Sequence, residues 1–160
     1  MLIAVNAVGR MKAGPEQDLA QRYFDRLARS GPGIGLEFAG VVEIAEGRSQ
    51  SADERRRDEA ARLRAGIGAD PALIALDERG KSITSEQLAG RIAALRDGGR
   101  RATVFAVGGP DGLDPAFRAE AELVLSFGQL TWPHQLARIM LAEQLYRAVT
   151  ILSGHPYHRA

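Results

Sequence analysis

Five short apolar runs alternate with helix-patterned stretches along this chain, and that alternation restricts the fold more than any other feature of it. Residues 2–8, 36–44, 72–77, 102–107 and 123–127 read as strands. Between and after them, 16–29, 52–65, 84–96, 114–122 and 133–152 carry helical periodicity or helix-start signals. In the first helix Leu19, Ala20, Tyr23, Phe24 and Leu27 form one buried stripe. Thr84 with Gln87 has the form of a capping box, and Asp114 before Pro115 the form of an N-cap and first turn. The runs 72–77 and 102–107 are continuously apolar, as strands covered on both faces are. Strands alternating with helices predict an α/β fold with a mostly parallel sheet of about five or six strands.

The chain has 160 residues, enough for one domain with a substantial core. It has no cysteine, which excludes disulfides, thiolate metal sites and cysteine nucleophiles together. The formal net charge is +1, so a broad phosphate-binding surface is not expected. The N-terminal apolar run is too short for a signal peptide, and no run reaches membrane-spanning length. A cytoplasmic location with no membrane partner is the expectation. Of the 21 basic residues only Lys12 and Lys81 are lysine, a bias that reads as genome composition. The charged run 54–59 mixes signs and reads as a solvated helix face with internal ion pairs.

Several motifs fail on inspection. Gly80-Lys81-Ser82 ends like a phosphate-binding loop, but the leading glycine of that pattern is replaced by Ala75 inside a strand. Gly31, Gly33 and Gly35 precede a strand and so are no dinucleotide fingerprint. All three histidines, His134, His155 and His158, fall in the last 27 residues without an acid or cysteine at ligand spacing. A polar site is expected there, and no metal.

Two features carry weight. The segment Gly108-Gly109-Pro110-Asp111-Gly112-Leu113 links a buried strand to a helix start, where small residues admit close backbone approach. Strands also end at Leu76-Asp77 and Ser126-Phe127-Gly128. Converging at one sheet edge, the three loops would line a pocket mostly with backbone, which suits a neutral adenosyl group better than a triphosphate. The last helix is apolar around nearly its whole circumference from Leu136 to Leu152. One face would pack on the sheet and the other would form an exposed patch, so a dimer interface is expected. Set into it are Arg138, Glu143 and Arg147, of which Glu143 and Arg147 have ion-pair spacing.

The segments LDERGK (76–81), GGPDGL (108–113), LSFGQLTWPHQLARIMLAEQLYRA (125–148) and GHPYHR (154–159) resemble the RlmH family, YbeA-like members of the SPOUT superfamily. The likeness spans the whole chain and departs only in detail, at Trp132 before the Pro-His pair. It implies a single SPOUT domain over 1–160: an α/β knot whose C-terminal region forms a trefoil knot. It implies S-adenosylmethionine as cofactor, held by Leu76, Gly108, Phe127, Gly128, Gln129, Leu130, Thr131 and Trp132. It implies methylation of N3 of a pseudouridine in 23S rRNA within the ribosome by a homodimer, with no metal. His134, Arg138, Glu143, Arg147, Tyr157 and His158 match the family's catalytic positions. Arg138 and Arg147 are then expected to hold phosphate or the developing imide oxygens. His158 or Glu143 would accept the proton, with the tail bearing Tyr157 and His158 reaching the partner's pocket. A non-catalytic ribosome-binding or assembly factor with this fold is the alternative, and a flavodoxin-like binding module a third reading. Charge agrees with a local site: 1–80 carries a net −1 and 81–160 a net +2, with the positive site expected toward the C-terminal end.

Overall fold

In the computed structural model residues 1–68 and 70–159 are described. Five strands, β1 (Leu2–Val8), β2 (Glu37–Ile44), β3 (Ala72–Lys81), β4 (Ala102–Val107) and β5 (Leu123–Leu125), form one sheet in the order β2-β1-β4-β3-β5. Every pairing is parallel. Five α-helices complete the chain: α1 (Pro15–Ser30), α2 (Ala52–Ala65), α3 (Ser85–Asp97), α4 (Pro115–Ala119) and α5 (His134–Leu152). The α/β reading and the five strand positions therefore hold.

The sheet is buried on both faces because its strands alternate between two cores. Ile3, Val5, Ile74, Phe105 and Val107 point to α1, α3 and α5. Val8, Leu73, Ala75 and Ala106 point to α2 and α4, where they meet Leu63 and Phe117. Phe117 is fully buried, which stabilises the fold by about 1.5–3 kcal/mol and fixes the short α4 under the sheet. Asp114 caps α4 by accepting from the Ala116 and Phe117 amides at 3.0 and 3.1 Å. The Thr84 box is complete: Gln87 N donates to Thr84 Oγ1 at 3.2 Å, and Thr84 N to Gln87 Oε1 at 2.9 Å.

Four expectations are corrected. The final helix shows no broad exposed apolar face. It lies between α1 and α3, and Leu141, Ala142, Leu145, Tyr146, Ala148 and Val149 are all buried. Only Leu136 is an exposed large apolar residue on it, with Ile139 and Met140 half-buried. The third strand does not stop at Asp77 but continues to Lys81, and Leu125 pairs with both Leu76 and Lys81. Residues 77–80 bow outward between those two contacts. β5 and α4 are shorter than 123–127 and 114–122. Finally, the run 54–59 is not merely a solvated face: Glu59 is buried, and Arg55 bonds Asp111, as described below.

No helix among the described residues is long and apolar enough to cross a membrane.

Candidate active site

Because all five strands are parallel, their C-terminal ends open at one edge. There residues 76–79 of β3 and the loops after β4 and β5 enclose a cleft of about 220 Å³. Its lining includes Leu76, Gly108, Phe127, Gly128, Leu130, Thr131 and Trp132, and also His134 from the first turn of α5. Of the eight residues expected at a cofactor, only Gln129 is outside this lining; it is exposed in the same loop.

The loop after β4 is tightly wound. A Cβ on Gly108 would lie 2.8 Å from the Gly112 carbonyl carbon and 3.0 Å from the Leu113 nitrogen. A Cβ on Gly109 would lie 2.9 Å from Val8 Cγ1. No side chain fits at either position without moving backbone or core, so the cleft wall is backbone by necessity.

Among the described residues, two of the three acids lining the cleft, Asp77 and Asp111, are neutralised by a built partner; Glu78 makes no ion pair. Arg55 of α2 donates from Nε to Asp111 Oδ2 at 2.7 Å and from Nη2 to Oδ1 at 3.1 Å. Arg56 adds a bond to the Asp111 carbonyl at 3.2 Å. The hydrogen bond from Arg55 holds the Asp111 carboxyl below its ordinary range. Asp77, nearly buried, accepts from Arg118 Nη1 and from the Arg79 amide, both at 2.9 Å. Glu59, behind the loop, accepts from the Gly47 amide at 2.7 Å, and burial raises its pKa. The rest of the lining is mostly backbone, small apolar surface and the half-exposed Trp132 ring, with Glu78, Arg79, Thr131 and His134 at its polar positions.

The other expected side chains fall into two groups along α5. His134 and Arg138 lie on the first turns, against the end of β1. A Cβ on Gly9 would be 3.2 Å from Glu46 Oε1 and 3.8 Å from both His134 Nε2 and Arg138 Nη2. Arg138 is buried, bonds Glu43 through Nη1 at 2.6 Å, and donates from Nη2 to the Val8 carbonyl at 2.7 Å and to the Gly9 carbonyl. Burial pulls its pKa down while Glu43 pushes it back.

Glu143, Arg147, Tyr157 and His158 form the second group. Glu143 Oε1 accepts from Arg147 Nε at 2.9 Å and from the Tyr157 hydroxyl at 3.0 Å, and its Oε2 accepts from Gln144 at 2.8 Å. The Arg147 guanidinium lies over the Tyr157 ring. His158 Nε2 is 2.7 Å from Glu86 Oε1, and its Nδ1 3.4 Å from Arg147 Nη1. Burial, with Tyr23 and Glu143 close by, pushes the Tyr157 hydroxyl well above its ordinary value, so it acts as a donor. This group borders a second cavity of about 600 Å³, lined by Tyr23, Ile83, Met140 and Glu143 among others. Leu125, Phe127 and Gly128 line both cavities and form the wall between them. Within one subunit the tail thus folds onto α3 and α5, on the far side of that wall from the cleft. Among the described residues no group of three or more His, Cys, Asp or Glu is placed to hold a metal ion.

A family described as predicted SPOUT methyltransferase matches residues 1–158. The chain belongs to the SPOUT methyltransferase family. Proteins named ribosomal RNA large subunit methyltransferase H are similar over their full length: one from Mesorhizobium japonicum is 69% identical over 160 residues, covering all of both chains. Those from Brucella anthropi and Rhizobium meliloti are 59% and 58% identical with the same full coverage. Among solved structures, a probable methylase family protein from Haemophilus influenzae superposes with a TM-score of 0.48 at 12% identity. That alignment covers 99% of this chain and 70% of the other.

In this SPOUT chain, Arg55, Glu59 and Arg118 are site-supporting residues that the sequence did not reveal. Each reaches a cleft loop from a helix distant in sequence, so no local spacing could signal it. Of the three arginines from Leu123 onward, Arg138 is tied to Glu43 and Arg147 to Glu143, while Arg159 is exposed and makes no ion pair among the described residues.

Proposed function

We propose that the protein uses S-adenosylmethionine to methylate N3 of a pseudouridine in 23S rRNA, acting as a cytoplasmic homodimer on the assembled ribosome. The observation that carries the reading is the cleft itself. Three segments at the strand ends meet in a wall made mostly of backbone and small apolar groups, with Asp77 and Asp111 internally paired, and such a wall fits an uncharged nucleoside. The 69% identity over all of both chains to a ribosomal RNA large subunit methyltransferase supports the same reading.

Bound in the cleft, the cofactor supplies an electrophilic methyl group. The chain's task is to align N3 with that methyl and to take up the N3 proton. Leu76, Gly108 and the 127–132 loop hold the adenosyl part. Glu143 is a poor proton acceptor, because Arg147, Tyr157 and Gln144 already occupy its oxygens. His158 is the acceptor that remains, oriented by Glu86. Arg147, held cationic by Glu143, stabilises the imide oxygens as charge develops. Arg138 bonds the chain ends of β1 and β2 and so positions His134 rather than touching substrate. Since the tail lies across the wall from its own cleft, Tyr157 and His158 serve the partner's cleft. The half-buried Leu19, Ile83, Ile139 and Met140 around the second cavity supply the apolar part of the dimer contact.

Calorimetry tests the cofactor assignment. S-adenosylmethionine should bind the wild-type protein, and Gly108→Trp, which must displace the loop after β4, should abolish binding while circular dichroism shows the helices and sheet retained. Equal binding by both proteins contradicts it.

A further inference from the structure

With Arg138 tied into the fold and Arg147, held by Glu143, assigned to the imide oxygens, another surface must meet the substrate's phosphates. The unpaired cations at the cleft edge identify it. Among the described residues, Arg10, Lys12, Arg48 and Arg79 are all exposed and make no ion pair. Arg10 and Lys12 lie in the loop that leaves β1 and Arg48 in the loop that leaves β2, while Arg79 lies in the irregular C-terminal part of β3 between its two contacts with Leu125.

These loops converge on the cleft. Arg79 lines it directly. Arg10 follows Gly9, whose Cβ position is within 4 Å of Glu46 and of His134, itself a lining residue. Arg48 is two residues beyond Glu46. The loop after β1 is also held in place, because the Met11 amide donates to Glu43 Oε1 at 3.0 Å, the oxygen that Arg138 binds. Of the described acids beside these loops, Glu43, Asp77 and Asp111 are each tied to an arginine, and Glu46, Glu78 and the buried Glu59 make no ion pair. The four unpaired cations therefore outnumber the unpaired acids beside them, one of which, Glu59, is buried, although the whole chain is close to neutral.

We infer that Arg10, Lys12, Arg48 and Arg79 form the RNA-backbone docking rim of the cleft, seating the phosphates that flank the target nucleotide. The inference rests on the methyltransferase reading and adds to it the surface that meets the substrate. Phosphate contacts of this kind fix register, carry no sequence information and weaken with salt.

The test uses the full-length protein with whole ribosomes. Two variants, Arg10→Gln/Lys12→Gln and Arg48→Gln, are compared with Arg29→Gln/Arg101→Gln. The last pair is also exposed and without an ion pair, but lies near the opposite edge, at the end of α1 and just before β4. The rim predicts a rise of about tenfold in KM for ribosomes in the Arg10/Lys12 variant, with kcat and S-adenosylmethionine affinity within about twofold. The log–log salt slope should shrink by about 0.7–0.9 for each phosphate that is no longer neutralised. The control pair should change none of these. Wild-type KM and salt slope in both rim variants, or an equal effect from the control pair, overturns the rim. Cosedimentation with ribosomes without methyl donor reads the rim separately: if the wild type binds ribosomes salt-dependently yet transfers no methyl, the methyltransferase reading falls while the rim is still measured.

Discussion

Arg138 Nη1 donates to Glu43 Oε1 at 2.6 Å, joining the first turns of α5 to the end of β2 across 95 residues of sequence. The same guanidinium reaches the Val8 carbonyl, so one buried side chain gathers β1, β2 and α5 beside the cleft. Removing it strips the Glu43 carboxylate of its cationic partner, leaving it only the Met11 amide, and takes a donor from the Val8 and Gly9 carbonyls. Arg138→Gln should cost about 3 kcal/mol. At about 2–4 °C per kcal/mol, that lowers the melting temperature by about 6–12 °C. Urea unfolding of the variant checks the figure, and a shift under about 0.5 kcal/mol would mean the contact is not a structural tie.

Gly108→Ala adds a single methyl where backbone already closes to 2.8 Å. The loop after β4 must shift, and the adenosyl site shifts with it. S-adenosylmethionine affinity should fall at least about tenfold, more than global stability does. Titration calorimetry and thermal melting on one preparation separate the two effects.

Arg55 grips Asp111 with two nitrogens and also bonds the Ser49 and Gln50 carbonyls through Nη1. Truncation to Ala should loosen the cleft loop without touching the reaction. Cofactor KM should rise about fivefold while kcat holds. Arg55→Lys should not restore it, because an ammonium cannot copy the two-pronged geometry.

Glu59 is buried and its carboxyl titrates above the ordinary 4.5. The folded state therefore favours the protonated form, so the group's stabilising contribution is full in acid and is lost as pH rises through the raised value. Glu59→Gln keeps an acceptor for the Gly47 amide and removes the buried charge. The variant should melt higher than wild type near neutral pH and lose that advantage below about pH 4.5. Thermal melts across pH 4–8 decide, and a variant less stable at pH 7 would show that the charged form is needed.

Much of the architecture was legible because it is local. The boundaries of β1, α2 and β4 follow from apolar runs and flanking loops, and the Thr84 box from two residues three apart. The three loops of the cleft were readable because parallel strands put their C-terminal ends on one edge. What escaped depends on contacts remote in sequence. Nothing near Arg138 announces Glu43, and nothing in the run 54–59 announces that Arg55 faces Asp111. The apolar circumference of α5 suggested an exposed face, yet α1 and α3 cover most of it; a helical repeat gives the width of a face and not what lies against it. The extension of β3 to Lys81 was invisible because Glu78, Arg79 and Gly80 carry no strand pattern.

The tail offers a test of dimer function. A subunit lacking residues 155–160 and a subunit bearing Gly108→Trp should each be inactive alone. Mixed, they should recover activity, since one intact cleft then meets one intact tail. Mixed dimers shown by mass spectrometry to have formed but inactive would place the tail in its own subunit's chemistry.

Transfer of tritiated methyl from S-adenosylmethionine to whole ribosomes, with the product nucleoside identified, tests the central claim most directly. The account predicts label in 23S rRNA, recovered as N3-methylpseudouridine and abolished by Gly108→Trp. Protein that binds S-adenosylmethionine but labels neither ribosomes, large subunits nor free rRNA would contradict it.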